Sequence, residues 1–455
     1  MKTHLSLLLG LALLAVPMAV RAQIYNYNGI EYYYVDENDI GIHGYNGPGG
    51  AITIPAAISN VPVTSIQVTA FLGNTSLTSV MIPGTVTSIG EEAFSGCSSL
   101  VSVTIPDSLT WIEYSTFGAC YKLASVTIPG TVTNIDVDSF EGCTSLASVT
   151  IANGSGPTVI GNYAFSGCTN LNNVTIGNGV TYIGESAFYE DTSLGSVTIL
   201  GSVTNIDNWA FDSCTNLTNV TIPNSVISIG SSAFASCAFT SISIPSSVTS
   251  IGQQAFSVNT NLTSVTICGG VTNMVEDAFY GCTGLTNVTI LNGVTMLGSY
   301  AFGFCYSLAS ITLPGTITNI EGFAFAWCTN LTKVYCLGNA PSVGNAVFNA
   351  NYVVTVYYLP GTTGWSAFSA DTGRPVVLWN PGMKASGANF GVQNNQFGFN
   401  ITGTNNFTVV VEACTNLANP VWIPLTTNTL VNGSFYFSDP QWTNYPGRYY
   451  GLGVP

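Results

Sequence analysis

The sequence predicts a β-rich solenoid of 23-residue coils with parallel strands and turn or short helical segments, followed by a small C-terminal all-β module. Three observations carry this. A phenylalanine recurs as Phe71, Phe94, Phe117, Phe140, Phe165, Phe188, Phe211, Phe234, Phe256, Phe279, Phe302, Phe325 and Phe348; ten of the twelve gaps are 23 residues and the others are 25 and 22. A fixed period of this size means one unit stacked on copies of itself. Apolar residues keep set offsets from the marker: Val86 and Ile89 precede Phe94, and Leu100, Val103 and Ile105 follow it. A 23-residue unit cannot bury six apolar side chains alone, whereas stacked coils share one continuous core.

The V-x-I step has period two, as in a strand with one buried face. Pro106 then ends the strand, because proline cannot donate to a ladder. Gly90, repeated as Gly161, Gly184, Gly230, Gly252 and Gly298, reads as a turn marker. The residue before the marker is Ala in ten of thirteen copies, which predicts room there for little more than a methyl. At about 4.8 Å per strand, a dozen coils extend roughly 60 Å.

The L-x-x-V-x-I core of each unit (Leu123, Val126, Ile128), its AF-x-x-C and its V-x-x-IG together resemble the bacterial surface-antigen (BspA-like) class of leucine-rich repeat. The resemblance covers about residues 66–360. It implies a parallel-strand solenoid, secretion or surface display, and a binding role. ANGSGP (152–157) carries the two-residue insertion and SCAFTS (236–241) lacks one residue; both are expected to distort a turn without ending the stack.

In chain order, residues 1–22 read as a secretory signal: Lys2, an apolar run from Leu5 to Val16, then Val20-Arg21-Ala22. The run is short for a bilayer span and no other stretch is long enough, so no transmembrane helix is expected. Residues 23–65, with aromatic-rich alternating runs, are expected to cap the first coil. The solenoid and its closing segment fill 66–379. A Gly/Asn-rich linker is expected over 380–395, and five short strands in 396–455 form the small β module, as a sandwich, a docked unit or an attachment tail.

Of 455 residues, 7 are Lys or Arg against 22 Asp or Glu, a net charge of −15; without residues 1–22 it becomes −17. That disfavours nucleic acid and anionic membranes as partners. Nine of twelve cysteines stand three residues after the marker: Cys97, Cys120, Cys143, Cys168, Cys214, Cys237, Cys282, Cys305 and Cys328. Neighbours in such a column fall within disulfide reach, but Cys also fills a small apolar slot well, and buried free thiols are expected. No CxxC or His/Cys metal spacing is present.

Past residue 22 the one histidine is His43, so any His-based triad must use it. It reads as a surface-loop residue. The close carboxylate pairs, Glu91-Glu92, Asp136/Asp138, Glu190-Asp191 and Glu276-Asp277, fall beside the AF turns and read as turn decoration, not as the pair a glycosidase needs. Asp36, Glu37 and Asp39 could ligate calcium, but without EF-hand spacing they read as a solvated acidic turn. Nothing calls for a cofactor or metal, and the chain is expected to be non-enzymatic.

Two surfaces suggest binding. The outward strand residue is Thr104, Thr127, Thr150, Thr175, Thr198, Thr221, Thr266, Thr289 or Thr312, with Met81, Ser243 and Tyr335 as exceptions, and Lys333 interrupts the next column. A threonine column suits a strand on propensity alone; it could also meet a glycan or protein, or order water as ice-binding arrays do. The sharper candidate is aromatic: Tyr300 and Phe323 two residues before the marker, Phe304 and Trp327 two after it, and Tyr306 nearby. These either bind a ligand or pack on the end segment or C-terminal module. The expected function is a secreted or cell-surface scaffold for an extracellular protein or glycan. The alternatives are a carbohydrate-binding or carbohydrate-degrading accessory protein, or a structural surface or matrix component.

Overall fold

A computed structural model describes residues 23–154, 156–405, 407–418 and 420–453; the expected signal at 1–22 lies outside the described residues. Each coil contributes two strands to two parallel sheets. The longer strands, from L-x-x-V-x-I, stack in strict register: Ser125–Ile128 on Ser148–Ile151, then Asn173–Ile176 and Ser196–Ile199. The second sheet uses two to four residues per coil, such as Trp111–Ile112, Asn134–Ile135 and Thr158–Ile160. Between them lies the AF segment, which is a run of turns. The single α-helix among the described residues is Trp365–Thr372.

The marker phenylalanines form one buried file. Successive rings from Phe71 to Phe348 stack with centroids 4.8–5.8 Å apart and planes 3–14° from parallel. Backbone bonds knit the same segment coil to coil: the Phe94 N–H donates to the Thr116 carbonyl (2.9 Å) and the Phe71 N–H to that of Ala93 (2.7 Å). The glycine column serves this approach instead of supplying a special turn torsion. A Cβ built on Gly90 would lie 2.5 Å from the Val68 nitrogen, and one on Gly252 2.3 Å from that of Ser231. Neither glycine has a positive φ.

The irregular coils behave as expected, each with a local cost. The insertion shifts the register between Thr158 and Val159. In the short coil Phe239, fully buried and edge-on to Phe234 at 5.9 Å, occupies the place of the usual leucine. The larger ring offsets the missing residue, and Ser241–Ile244 pairs in register with Ser264–Ile267 in the coil that follows.

The ends differ from expectation in two places. Tyr25–Tyr27 and Ile30–Tyr34 form an antiparallel hairpin, but Ile40–Tyr45 already pairs in parallel with Val61–Ile66. Parallel stacking therefore begins inside 23–65, because Ile40, Ile42, Ile54 and Val63 already bury into the common core. The expected linker at 380–395 carries Gly382–Lys384 and Gly391–Gln393, both antiparallel to Gln396–Thr402. Its glycines set the turns between short strands. At the far end of the solenoid, the helix and Val376–Leu378, paired in parallel with Thr355–Tyr358, complete the last coil.

The five expected C-terminal strands are present and lie in two antiparallel sheets. They dock on the solenoid. Tyr335 and Trp379 are buried in one cluster with Phe399, Ile401, Val409, Val411 and Phe437, and Lys333 Nζ donates to Thr408 Oγ1 (3.0 Å). Two of the exceptions in the strand columns, Tyr335 and Lys333, are thus contacts with this module.

All twelve cysteines are free thiols. The nine in the column each donate S–H to the marker carbonyl of the preceding coil at 3.0–3.4 Å, as Cys97 does to Phe71. Burial pushes Cys97, Cys143 and Cys282 up to about 12. At pH 8, Ellman's reagent on the native protein should reach at most the half-buried Cys268, and all twelve thiols after unfolding without reductant. A substantially lower total would show disulfides in the column.

Asp191 replaces cysteine in this column and is fully buried, with no well-formed hydrogen bond to either carboxyl oxygen. Asn259 fills the same slot by donating Nδ2–H to the Phe234 and Phe256 carbonyls, both at 2.9 Å. A carboxylate cannot donate, so burial raises the Asp191 pKa far above its ordinary value, the Cys168 backbone N–H offsetting this only in part. The folded state then holds a proton that the unfolded state has released, and stability falls as pH rises above ~4. Asp191→Asn should therefore stabilise the fold at pH 8 by about 1–3 kcal/mol and flatten that pH dependence in thermal melts. An equal or lower melting temperature at pH 8 would contradict it.

Candidate functional site

The turns that flank the file of phenylalanines use an unusual backbone. The residue two places before the marker has a φ of 46–63° in all thirteen coils, from Thr69 to Ala346, and the residue two places after it has a φ of 53–70°, from Gly73 to Ala350. A side chain in this left-handed region costs about 1 kcal/mol or more. Glycine relieves that cost at Gly73, Gly96, Gly142, Gly167 and Gly281. Phe304 and Trp327 stand in the same column at φ 60°, and Tyr300 and Phe323 in the preceding column at φ 52° and 63°. Bulky rings therefore occupy places where the backbone favours glycine.

The structure brings all five expected residues together. Tyr300 stacks on Phe323 (5.0 Å, 5°) and Phe304 on Trp327 (5.9 Å, 17°), while Tyr306 lies edge-on to Phe304 at 6.1 Å. Tyr280, not singled out from sequence, links the two stacks, with its ring 5.0 Å from Phe304 and 6.2 Å from Tyr300. Its signal was its place directly after Phe279, a position small or polar in most other coils. Trp327 and Tyr306 are 44% and 40% exposed; the other rings are half-buried. None of the six belongs to the cluster that joins the C-terminal module to the solenoid. Carboxylates at the margin are engaged within the fold: Gln254 Nε2 donates to Asp277 Oδ2 (3.2 Å), and the Ser299 N–H and Oγ–H to Glu321 Oε2 (3.2 and 3.3 Å). The six rings form an aromatic ladder without a charged member, and the nearby carboxylates are directed to partners within the fold.

The other candidates are dispersed. His43 is exposed on Ile40–Tyr45, its ring 6.4 Å from Tyr33. Asp36 accepts the Asn38 N–H in a tight turn. Among the described residues no three His, Cys, Asp or Glu side chains converge as a metal site. The threonine column runs in register, Thr127 beside Thr150, Thr175 and Thr198.

A model of the BspA type leucine rich repeat region (6 copies) matches residues 64–156, 154–262 and 258–369. Among solved structures, a leucine-rich repeat protein from Bacteroides ovatus is 29% identical with a TM-score of 0.59, covering 78% of this chain and 99% of its own. A leucine rich cell surface protein from Faecalibacterium prausnitzii is 27% identical with a TM-score of 0.39, covering 69% of this chain and 94% of its own. No curated protein matches the chain.

Because the rings sit on strained backbone, Phe304→Gly and Trp327→Gly should leave the melting temperature unchanged or slightly raised. A fall of several degrees would mean that the ladder is packing for the fold.

Proposed function

The chain belongs to the BspA-type leucine-rich repeat family, and from that premise we propose a secreted or cell-surface, non-enzymatic scaffold that holds an extracellular protein or glycan on its aromatic turn face. The observation that carries this reading is the ladder of Tyr280, Tyr300, Phe304, Tyr306, Phe323 and Trp327. It is exposed in part, built on backbone that disfavours large side chains, and left uncovered by the chain's own C-terminal module. Aromatic rings give large contact area at small conformational cost, which is why they anchor interfaces. Export is supported by the signal-like residues 1–22. Among the described residues no helix is long and apolar enough to cross a membrane. The acidic charge speaks against nucleic acid.

The chain without residues 1–22 should capture a partner from extracellular material or bind members of a glycan array, and Phe304→Gly combined with Trp327→Gly should weaken that binding at least tenfold while the fold persists. Undiminished binding by the double variant would remove the ladder from the function. Turnover of the bound glycan would replace a scaffold with an enzyme.

A further inference from the structure

Nearer the N-terminus, the same turn columns build a second and chemically different surface. A cleft of about 590 Å³ is lined by Tyr121, Tyr163 and Tyr189 together with Glu141 and Glu190. Tyr121 stands in the column of Tyr306, Tyr163 in that of Tyr300, Tyr189 in that of Tyr280, and Glu190 in that of Trp327. The scaffold is repeated, but carboxylates enter where the ladder has rings.

Each of these carboxylates has a further acid near it, Asp138 by Glu141 and Asp212 by Glu190. Burial and then the charge of Asp138 raise the pKa of Glu141; burial and, to a lesser degree, Glu190 raise that of Asp212. Tyr189 is raised by its hydrogen bond with Glu190, by burial and by the neighbouring acidic charges. The ion pair found among the described residues is Arg448 with Asp439, far along the chain in the C-terminal module. No ion pair engages Glu141 or Glu190 among the described residues, and Lys122, next to Tyr121, is the one basic residue of this stretch, while the walls offer three tyrosine rings. Carboxylates beside ring faces favour an ammonium or guanidinium group, through charge and cation–π attraction.

We infer that this cleft binds a lysine- or arginine-bearing segment of a partner protein, lying extended across the coils. The coils of Glu141 and Glu190 are two steps apart; their core rings are spaced 5.1 and then 5.3 Å, so the two residues are offset by about 10 Å along the stack, Glu141 one place and Glu190 two places past the marker. A polyproline II segment rises about 3.1 Å per residue with three residues per turn. It places basic side chains at every third residue on one side, about 9 Å apart, which suits this spacing.

The test is a titration of fluorescein-labelled (Lys-Pro-Pro)4 into the chain lacking residues 1–22, followed by anisotropy. Saturable binding is expected, weakened at least tenfold by Glu141→Gln with Glu190→Gln, and at least fivefold by Tyr163→Ser. Raising salt from 50 to 500 mM should weaken it, and (Glu-Pro-Pro)4 should not bind. Affinity should rise with pH as the Glu141 carboxyl, held above its ordinary range by burial and Asp138, ionises. The variants' melting temperatures, checked alongside, should match the parent. Absence of saturable binding at millimolar peptide would overturn the inference, as would equal affinity in the carboxylate variants. Tighter binding of a chitosan oligomer than of the peptide would reassign the cleft to an amino-sugar polymer.

Discussion

The structure depends on one constraint: every coil must lie about 5 Å from the next, with each residue seated over its own counterpart. Backbone hydrogen bonds between AF segments set that distance, and the phenylalanine file fills it at ring-stacking separation. Everything that interferes with close approach is excluded. This is why glycine recurs where the preceding coil's backbone passes within reach of an absent Cβ, why alanine or another small residue precedes the marker, and why a thiol or amide that can reach back to a carbonyl occupies the slot three residues on. The net stability of such a stack is a sum over neighbouring coils, so a misfit at one position is felt by the two coils beside it.

Much of this was legible because a repeat shows the same physical demand a dozen times. The marker spacing gave the coil, the V-x-I step gave the long sheet, and the interruptions at 152–157 and 236–241 were visible as broken spacing. The exceptions were informative as well: Tyr335 and Lys333 broke the columns of their strands, and they are where the C-terminal module docks. The second sheet was less legible, since two residues per coil leave no alternation to detect. The start of parallel pairing at Ile40 was hidden because that region lacks the marker. The strands in 380–395 were hidden by glycine and asparagine, which read as linker but set turns here. Of the aromatic patch, the two columns were visible and Tyr280 was not, because its place one residue past the marker is filled by unrelated residue types elsewhere. The left-handed torsions of those columns have no sequence signature beyond the five glycines that share one of them.

Those torsions connect fold and function. The turn face must bend the chain sharply at two places per coil, and the natural occupants are glycine and small polar residues. Where rings or carboxylates stand instead, the fold does not require them. The solenoid thus supplies a ruled surface of fixed pitch, and its chemistry varies along the length: acidic with tyrosines around residues 121–190, apolar and aromatic around 280–327. Each column is a position to be filled, and the spacing between positions is the same for whatever ligand lies across them.

The sparse positive charge has a further consequence for how the chain meets proteases. Between residues 23 and 332 the chain contains a single lysine and no arginine, so a protease that requires a basic residue before the cut finds one bond there, after Lys122. That bond leads directly into Leu123, which is fully buried in the stack. A digestive environment rich in trypsin-like activity would leave the long body of the molecule intact, and wear would begin instead at the C-terminal module, where Lys384 and Arg448 reside.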